Sequence, residues 1–261
     1  MFRKLRIAFL LYVLLFVAAA TFLAHRRATD WDEPLWVNMY TVPASAHDDL
    51  TAGSALDATD VASIENFFAA QARAHGVALE RPFRLHAAGS VSTPLPPLPQ
   101  PGSVVGAILW SLQMRWIAAK LDWLGDAPAP DIVLFVVAHD PSRALAAERS
   151  GALRKGLIAV ANVIAERAAA GGNRVVVAHE LLHTLGATDK YDPATNLPLH
   201  PHGYAEPDRM PLYPQRKAEL MGGRVPLAPS EAAIPRDLGS VVVGPATAIE
   251  IGWKPSTAGG T

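Results

Sequence analysis

The chain has 261 residues, half of them hydrophobic and 18% charged, which is enough apolar material for one core of ordinary size and excludes wholesale disorder. Its 23 basic and 24 acidic residues leave a formal net charge of −1, so no overall field draws it to nucleic acid, and none is expected as a partner. Because there is no cysteine, disulfide frameworks, cysteine-held metals, iron–sulfur clusters and thiol nucleophiles are all excluded.

Residues 7–24 (IAFLLYVLLFVAAATFLA) are uncharged and mostly apolar. As a helix they would rise about 27 Å, close to the roughly 30 Å hydrocarbon core of a bilayer. Arg3, Lys4 and Arg6 precede the run, and His25, Arg26 and Arg27 follow it. Cations on the short N-terminal side favour a cytoplasmic N-terminus. The expectation is an N-terminal transmembrane helix within residues 1–27, a single-pass anchor making the membrane a partner. Residues 28–261 would then form one domain outside the cytoplasm, in a periplasmic space. A removed signal peptide is the alternative, but its apolar region is usually about 7–15 residues, and Ala18–Ala20 lies inside this run.

Residues 35–42 (LWVNMYTV), rich in β-branched and aromatic side chains, predict a strand. Asp60 is placed to cap a helix through about His75, with Ile64, Phe67 and Phe68 on one face and Gly76 at its end. A short strand is expected over residues 83–85. Residues 94–102 (PLPPLPQPG) can be neither helix nor central strand and predict a stiff connector. Ser103 should cap an apolar helix through about Leu124, where Trp110, Met114, Ile117 and Leu121 recur at core-packing spacing. Residues 132–137 (IVLFVV) read as a buried strand, and residues 156–164 (GLIAVANVI) as a strand paired with it. Helix, strand, strand and a following helix point to an α/β or α+β layered architecture. Beyond about residue 192, Pro and Gly dominate and few periodic stretches remain.

The chemistry concentrates in residues 173–191 (NRVVVAHELLHTLGATDKY). The run from Arg174 to Leu185 has helical length and apolar content, Asn173 is available as a cap, and Gly186 can close it. His179 and His183, four apart, then project from one face, and two imidazoles so placed can reach one tetrahedral zinc at about 2.0–2.1 Å. Glu180 is rotated about 100° from His179 and can reach the water that the metal binds without ligating the metal. It would take the proton of that water as it attacks a carbonyl and return it to the leaving amine. Burying two histidines and a glutamate without a metal would be costly, because all three need partners.

The stretch H-E-L-L-H-T-L-G-A-T-D-K-Y, from His179 to Tyr191, resembles the extended metzincin motif H-E-x-x-H-x-x-G-x-x-H, with Asp189 where most members have histidine. Aspartate there, the Leu-Gly pair and the tyrosine two residues on look like snapalysin and immune-inhibitor-A-type peptidases. The resemblance implies an α+β, zincin-like fold, with a small mixed sheet packed on helices before the metal helix and an irregular lower half after it. It implies a Zn2+ centre held by His179, His183 and Asp189, with Glu180 catalytic, in a metalloprotease acting on polypeptide. Asp189 could instead cap the turn after Gly186, and Glu206 is the competing third ligand, although Pro207 argues against a helix there. Met221, in AELMGG, is the candidate for the methionine turn beneath the metal, without the usual serine and tyrosine companions. Tyr191, Tyr204 and Tyr213 are candidate oxyanion donors. A zinc amidase of other specificity and a non-catalytic binding module of the same fold remain as alternatives.

Overall fold

Strand β3 (Ile132–His139) is buried from Ile132 to Ala138. The pleat therefore sends Ile132, Leu134, Val136 and Ala138 into one apolar layer, and Val133, Phe135 and Val137 into another. A strand of this kind needs cover on both faces. The computed structural model describes residues 27–45, 56–100, 102–125, 128–141, 151–153 and 157–254, with Arg6, Ile7, Leu11, Tyr12, Leu15 and Leu23.

Around β3 lies a five-stranded sheet in the order β2-β1-β3-β5-β4, formed with β1 (Leu35–Pro43), β2 (Phe83–Ser90), β4 (Gly151–Leu153) and β5 (Ile158–Ile164). β1 runs parallel to β2 and β3, and β3 parallel to β5; the short edge strand β4 alone is antiparallel. Parallel neighbours require crossovers. Helices α1 (Ala58–Ala74) and α2 (Val104–Leu124) provide the first two. α1 and the later α3 (Ala170–Thr184) share one apolar layer, through Ile64, Phe68, Val177 and Leu181. On the opposite face α2 packs Trp110, Met114 and Ala118 against Tyr40 and Phe135.

This is a mixed α/β fold with a parallel sheet, which corrects the expected α+β class with its N-terminal membrane helix. Strands buried on both faces read as unbroken apolar runs, and such runs carry no mark of strand direction. No helix among the described residues is long and apolar enough to cross a membrane. Most of residues 7–24, where the anchor was expected, lie outside the described residues. The single-pass anchor, and the location inferred from it, are accordingly withdrawn. Apolar composition alone does not make a span, which needs a helix of roughly 20 residues, and the described residues contain none that is long and apolar enough.

Two local elements lie slightly displaced from where the sequence places them. α1 is capped by Asp57, with Asp60 as the reciprocating member of a capping box rather than the cap itself. α3 begins at Ala170, ahead of Asn173. The Asn173 amide is inside the helix and brackets the end of β5, accepting from Ile164 N and donating to Ile164 O. After α3 the chain is irregular, as expected. It contains a parallel ladder of β6 (Ala218–Glu219) with β9 (Val241–Val242), an antiparallel ladder of β7 (Val225–Ala228) with β8 (Glu231–Ala233), and the short helix α4 (Pro245–Glu250).

Asp60 also fixes α1 to α3. Its carboxylate is buried and lies 2.7 Å from Arg174 Nη1 and 3.2 Å from Arg167 Nη1. Arg167 and Arg174 keep 64% and 23% side-chain exposure, so removing Asp60 leaves cations that water still reaches and costs the charged hydrogen bonds and the capping box. Asp60→Ala should therefore lower the unfolding free energy by about 2 kcal/mol in urea titration; a loss below about 0.5 kcal/mol, the level of an ordinary surface change, would show the pair to be dispensable.

Candidate metal centre

α3 presents His179 and His183 one turn apart, their rings edge-to-face with centroids 4.7 Å apart and their Nε2 atoms separated by 3.0 Å. The helix stops at Thr184, and Gly186 then turns the chain at φ +104°, a conformation that a residue with a Cβ adopts only under strain. That turn brings Asp189 back over the helix, with Oδ1 3.2 Å from His179 Nε2 and 3.0 Å from His183 Nε2. Three donor atoms thus form a triangle with sides of 3.0–3.2 Å. For comparison, a tetrahedron with bonds of 2.0–2.1 Å has edges of about 3.3 Å.

The other ring nitrogens decide what these atoms offer. His179 Nδ1 lies 2.9 Å from Leu220 O, and His183 Nδ1 lies 2.8 Å from Ala187 O. A carbonyl oxygen only accepts, so each Nδ1 carries the proton and donates, leaving both Nε2 lone pairs aimed at the centre. Two lone pairs and a carboxylate oxygen at these separations require a positive centre between them, a proton or a metal ion. The Leu220 carbonyl belongs to a tight turn, Leu220–Gly222, in which Met221 is fully buried. A Cβ on Gly222 would lie 2.4 Å from the Gly203 carbonyl oxygen, so only glycine permits this packing.

Glu180 points beside the triangle. Candidate ligand atoms of His179, Glu180 and His183 all lie within 4.8 Å of one another, a group that can hold a metal ion. Asp189 completes a closer set with the histidines than Glu180 does. Glu180 Oε2 is buried and has no hydrogen-bond partner. A buried orphan acceptor of this kind is satisfied by a water next to the ion, so the donor set and the orphan together fit a metal with an open position.

The electrostatics follow the same geometry. Burial acts to raise the Asp189 pKa, but hydrogen bonding with His179 and His183 outweighs it and holds the carboxyl well below the usual range. Burial acts to lower the His179 pKa, yet Asp189, Glu180 and the Leu220 carbonyl outweigh it and raise the value. Burial raises the Glu180 pKa against the pull of both histidines. Burial also raises the Tyr191 pKa, with Asp189 and Glu180 adding to the effect.

Of the three candidate tyrosines, Tyr191 is beside the centre, its ring 6.5 Å from that of His179. Tyr204 and Tyr213 are instead bonded to each other, hydroxyl to hydroxyl at 2.8 Å, and burial with that bond pushes Tyr204 up to about 12. The Glu206 carboxylate faces Arg209 at 3.5 Å and Arg216 at 4.0 Å, away from the histidines in its contacts. His200 Nε2 lies against Pro207 O and its ring against Tyr204, and His139 bonds Asn162 across β3 and β5. The Leu220 and Ala187 carbonyls, which set both histidine tautomers, had no signal in the sequence, because every residue carries the same group.

No protein-family model matches this chain, and no curated protein matches it at a significant level.

For the metal-free protein the signs are opposed. The raised His179 value contributes stability that is complete below about pH 6.5 and is lost as pH rises through the raised pKa. The lowered Asp189 value contributes stability that is complete above about pH 4 and is lost as pH falls through the lowered pKa. A metal needs the histidines deprotonated, so it takes over where the proton is released. The gain in Tm on adding saturating zinc to chelator-treated protein should therefore be larger at about pH 8 than at about pH 5.5; an equal gain at both would contradict this ligand set.

Proposed function

We propose that the chain is a zinc-dependent peptidase of the metzincin-like kind, with His179, His183 and Asp189 as metal ligands and Glu180 as general base. The observation that carries the reading is the tight Nε2–Nε2–Oδ1 triangle beside a buried, unpartnered Glu180 oxygen. Two imidazoles and a carboxylate with an open position are a catalytic zinc donor set; the same set also holds ferrous iron, and the choice of zinc rests on the resemblance of the motif from His179 to Tyr191.

When bound, zinc supplies a Lewis acid that polarises a carbonyl and lowers the pKa of water to about 7. The residues of the chain do the rest. Burial raises the Glu180 pKa and makes it a stronger base than an exposed carboxylate, and it would accept the proton of the attacking water. The same carboxyl group then delivers that proton to the departing amine. Tyr191, beside Asp189 and His179, would donate to the oxyanion as charge develops. Among the described residues β4 is one of the two edge strands of the sheet and packs against α3, so its outer backbone edge would offer hydrogen bonds to an extended polypeptide. The motif from His179 to Tyr191, and the sheet-before, irregular-after order of the chain, support the same family reading.

Glu180→Gln preserves shape and removes the base. It should reduce kcat on an unfolded polypeptide by at least about a hundredfold while zinc content stays unchanged. Undiminished turnover in that variant would remove Glu180 from the mechanism.

Tyr191→Phe tests the oxyanion role separately. We expect kcat to fall by about tenfold or more with KM little changed, as for a donor that strengthens only in the transition state. A rise in KM alone would assign Tyr191 to substrate binding.

A further inference from the structure

Asp189 is held in place by its neighbours. Thr188 and Lys190 turn their side chains to one side of the loop while Asp189 turns to the other, toward the histidines. Both neighbours end on one carboxylate, that of Glu250 at the C-terminal end of α4. Thr188 N donates to Glu250 Oε2 at 2.9 Å, and Thr188 Oγ1 donates to Oε1 at 2.7 Å. Lys190 Nζ donates to Oε2 at 2.7 Å and, at 3.0 Å, to the Thr188 carbonyl. The Lys190 side chain is 6% exposed and that of Glu250 30%, so this ion pair is partly sheltered from water and firmer than a fully exposed surface pair.

The backbone of the same segment is also fixed. Lys190 N donates to Met221 O at 2.8 Å, in the turn whose Leu220 carbonyl orients His179. Leu199 N donates to Lys190 O at 2.8 Å. The loop that carries the third donor is therefore clamped on both sides of Asp189, and Glu250 supplies the side-chain half of the clamp.

We propose that Glu250 is a positioning residue for the metal centre, holding the Thr188–Lys190 segment so that the Asp189 carboxylate meets the two histidines. The proposal rests on Asp189 being a ligand. Neither Glu250 nor Lys190 touches the ion site; they act by preorganisation, fixing a carboxylate that a free loop would have to order at each binding event.

The test is a cycle of zinc affinities, measured on the full chain by competition with a chromophoric chelator. It compares the parent, Glu250→Ala, Asp189→Ala and the double variant. Glu250→Ala should weaken zinc binding by about tenfold to a hundredfold. In the Asp189→Ala background the same change should cost less than about threefold, because the ligand it positions is gone. A purely structural role would lower the Tm of the metal-free protein and weaken zinc equally in both backgrounds, which would overturn the proposal. So would undiminished affinity in Glu250→Ala while Asp189→Ala loses zinc; that result leaves the ligand set intact. Undiminished affinity in Asp189→Ala would instead remove the ligand assignment itself, and the positioning role with it. If Glu250→Ala does not fold, Glu250→Gln, of the same shape but lacking the charge and one acceptor, is put through the same comparison.

Discussion

Two imidazole lone pairs and a carboxylate oxygen lie within 3.2 Å of one another. They repel unless a positive charge sits among them, and inside a protein that repulsion is stronger than in water. Several contacts around them keep the three from relaxing apart. α3 sets the spacing of the two histidines, and the Leu220 and Ala187 carbonyls fix their tautomers. The positive-φ turn at Gly186 returns the chain, and the Lys190–Glu250 pair ties the returning loop to α4.

Much of this was legible because its cause is local. Histidines four apart on a capped apolar helix share a face whatever the rest of the fold does, and a glycine after such a helix marks where the chain turns. Strand positions were likewise read from apolar runs, and β1, β3 and β5 lie where those runs predict them. Contacts between distant residues left no comparable trace. Glu250 is an ordinary acidic residue in the sequence, and only the fold sets it beside Thr188 and Lys190, 62 and 60 positions away. Asn173 was read as a cap because asparagine favours that role, but bracketing the end of β5 decided its use. β4 contains three residues, too few for any period to be seen.

The division of labour between the two halves of the chain has a physical basis. The parallel sheet is covered on both faces and holds the apolar layers, so the base of α3 rests on a rigid support. The lower half has little regular structure and relies on particular contacts instead. The buried Glu219 carboxylate, for example, accepts from Gly222 N, Gly244 N and the Thr247 hydroxyl, joining the turn under His179 to the start of α4. Burial raises the Glu219 pKa despite these donors.

The donors of the centre are not equally sheltered. The side chains of His179 and His183 are 14% and 8% exposed, whereas that of Asp189 is 39% exposed. The carboxylate therefore forms the solvent-facing side. If the three donors hold an ion as proposed, exchange would pass this side, and opening of the Asp189 loop, a local fluctuation much smaller than unfolding of the domain, would set its pace. A firmer loop would then make a slower exchange without altering any ligand.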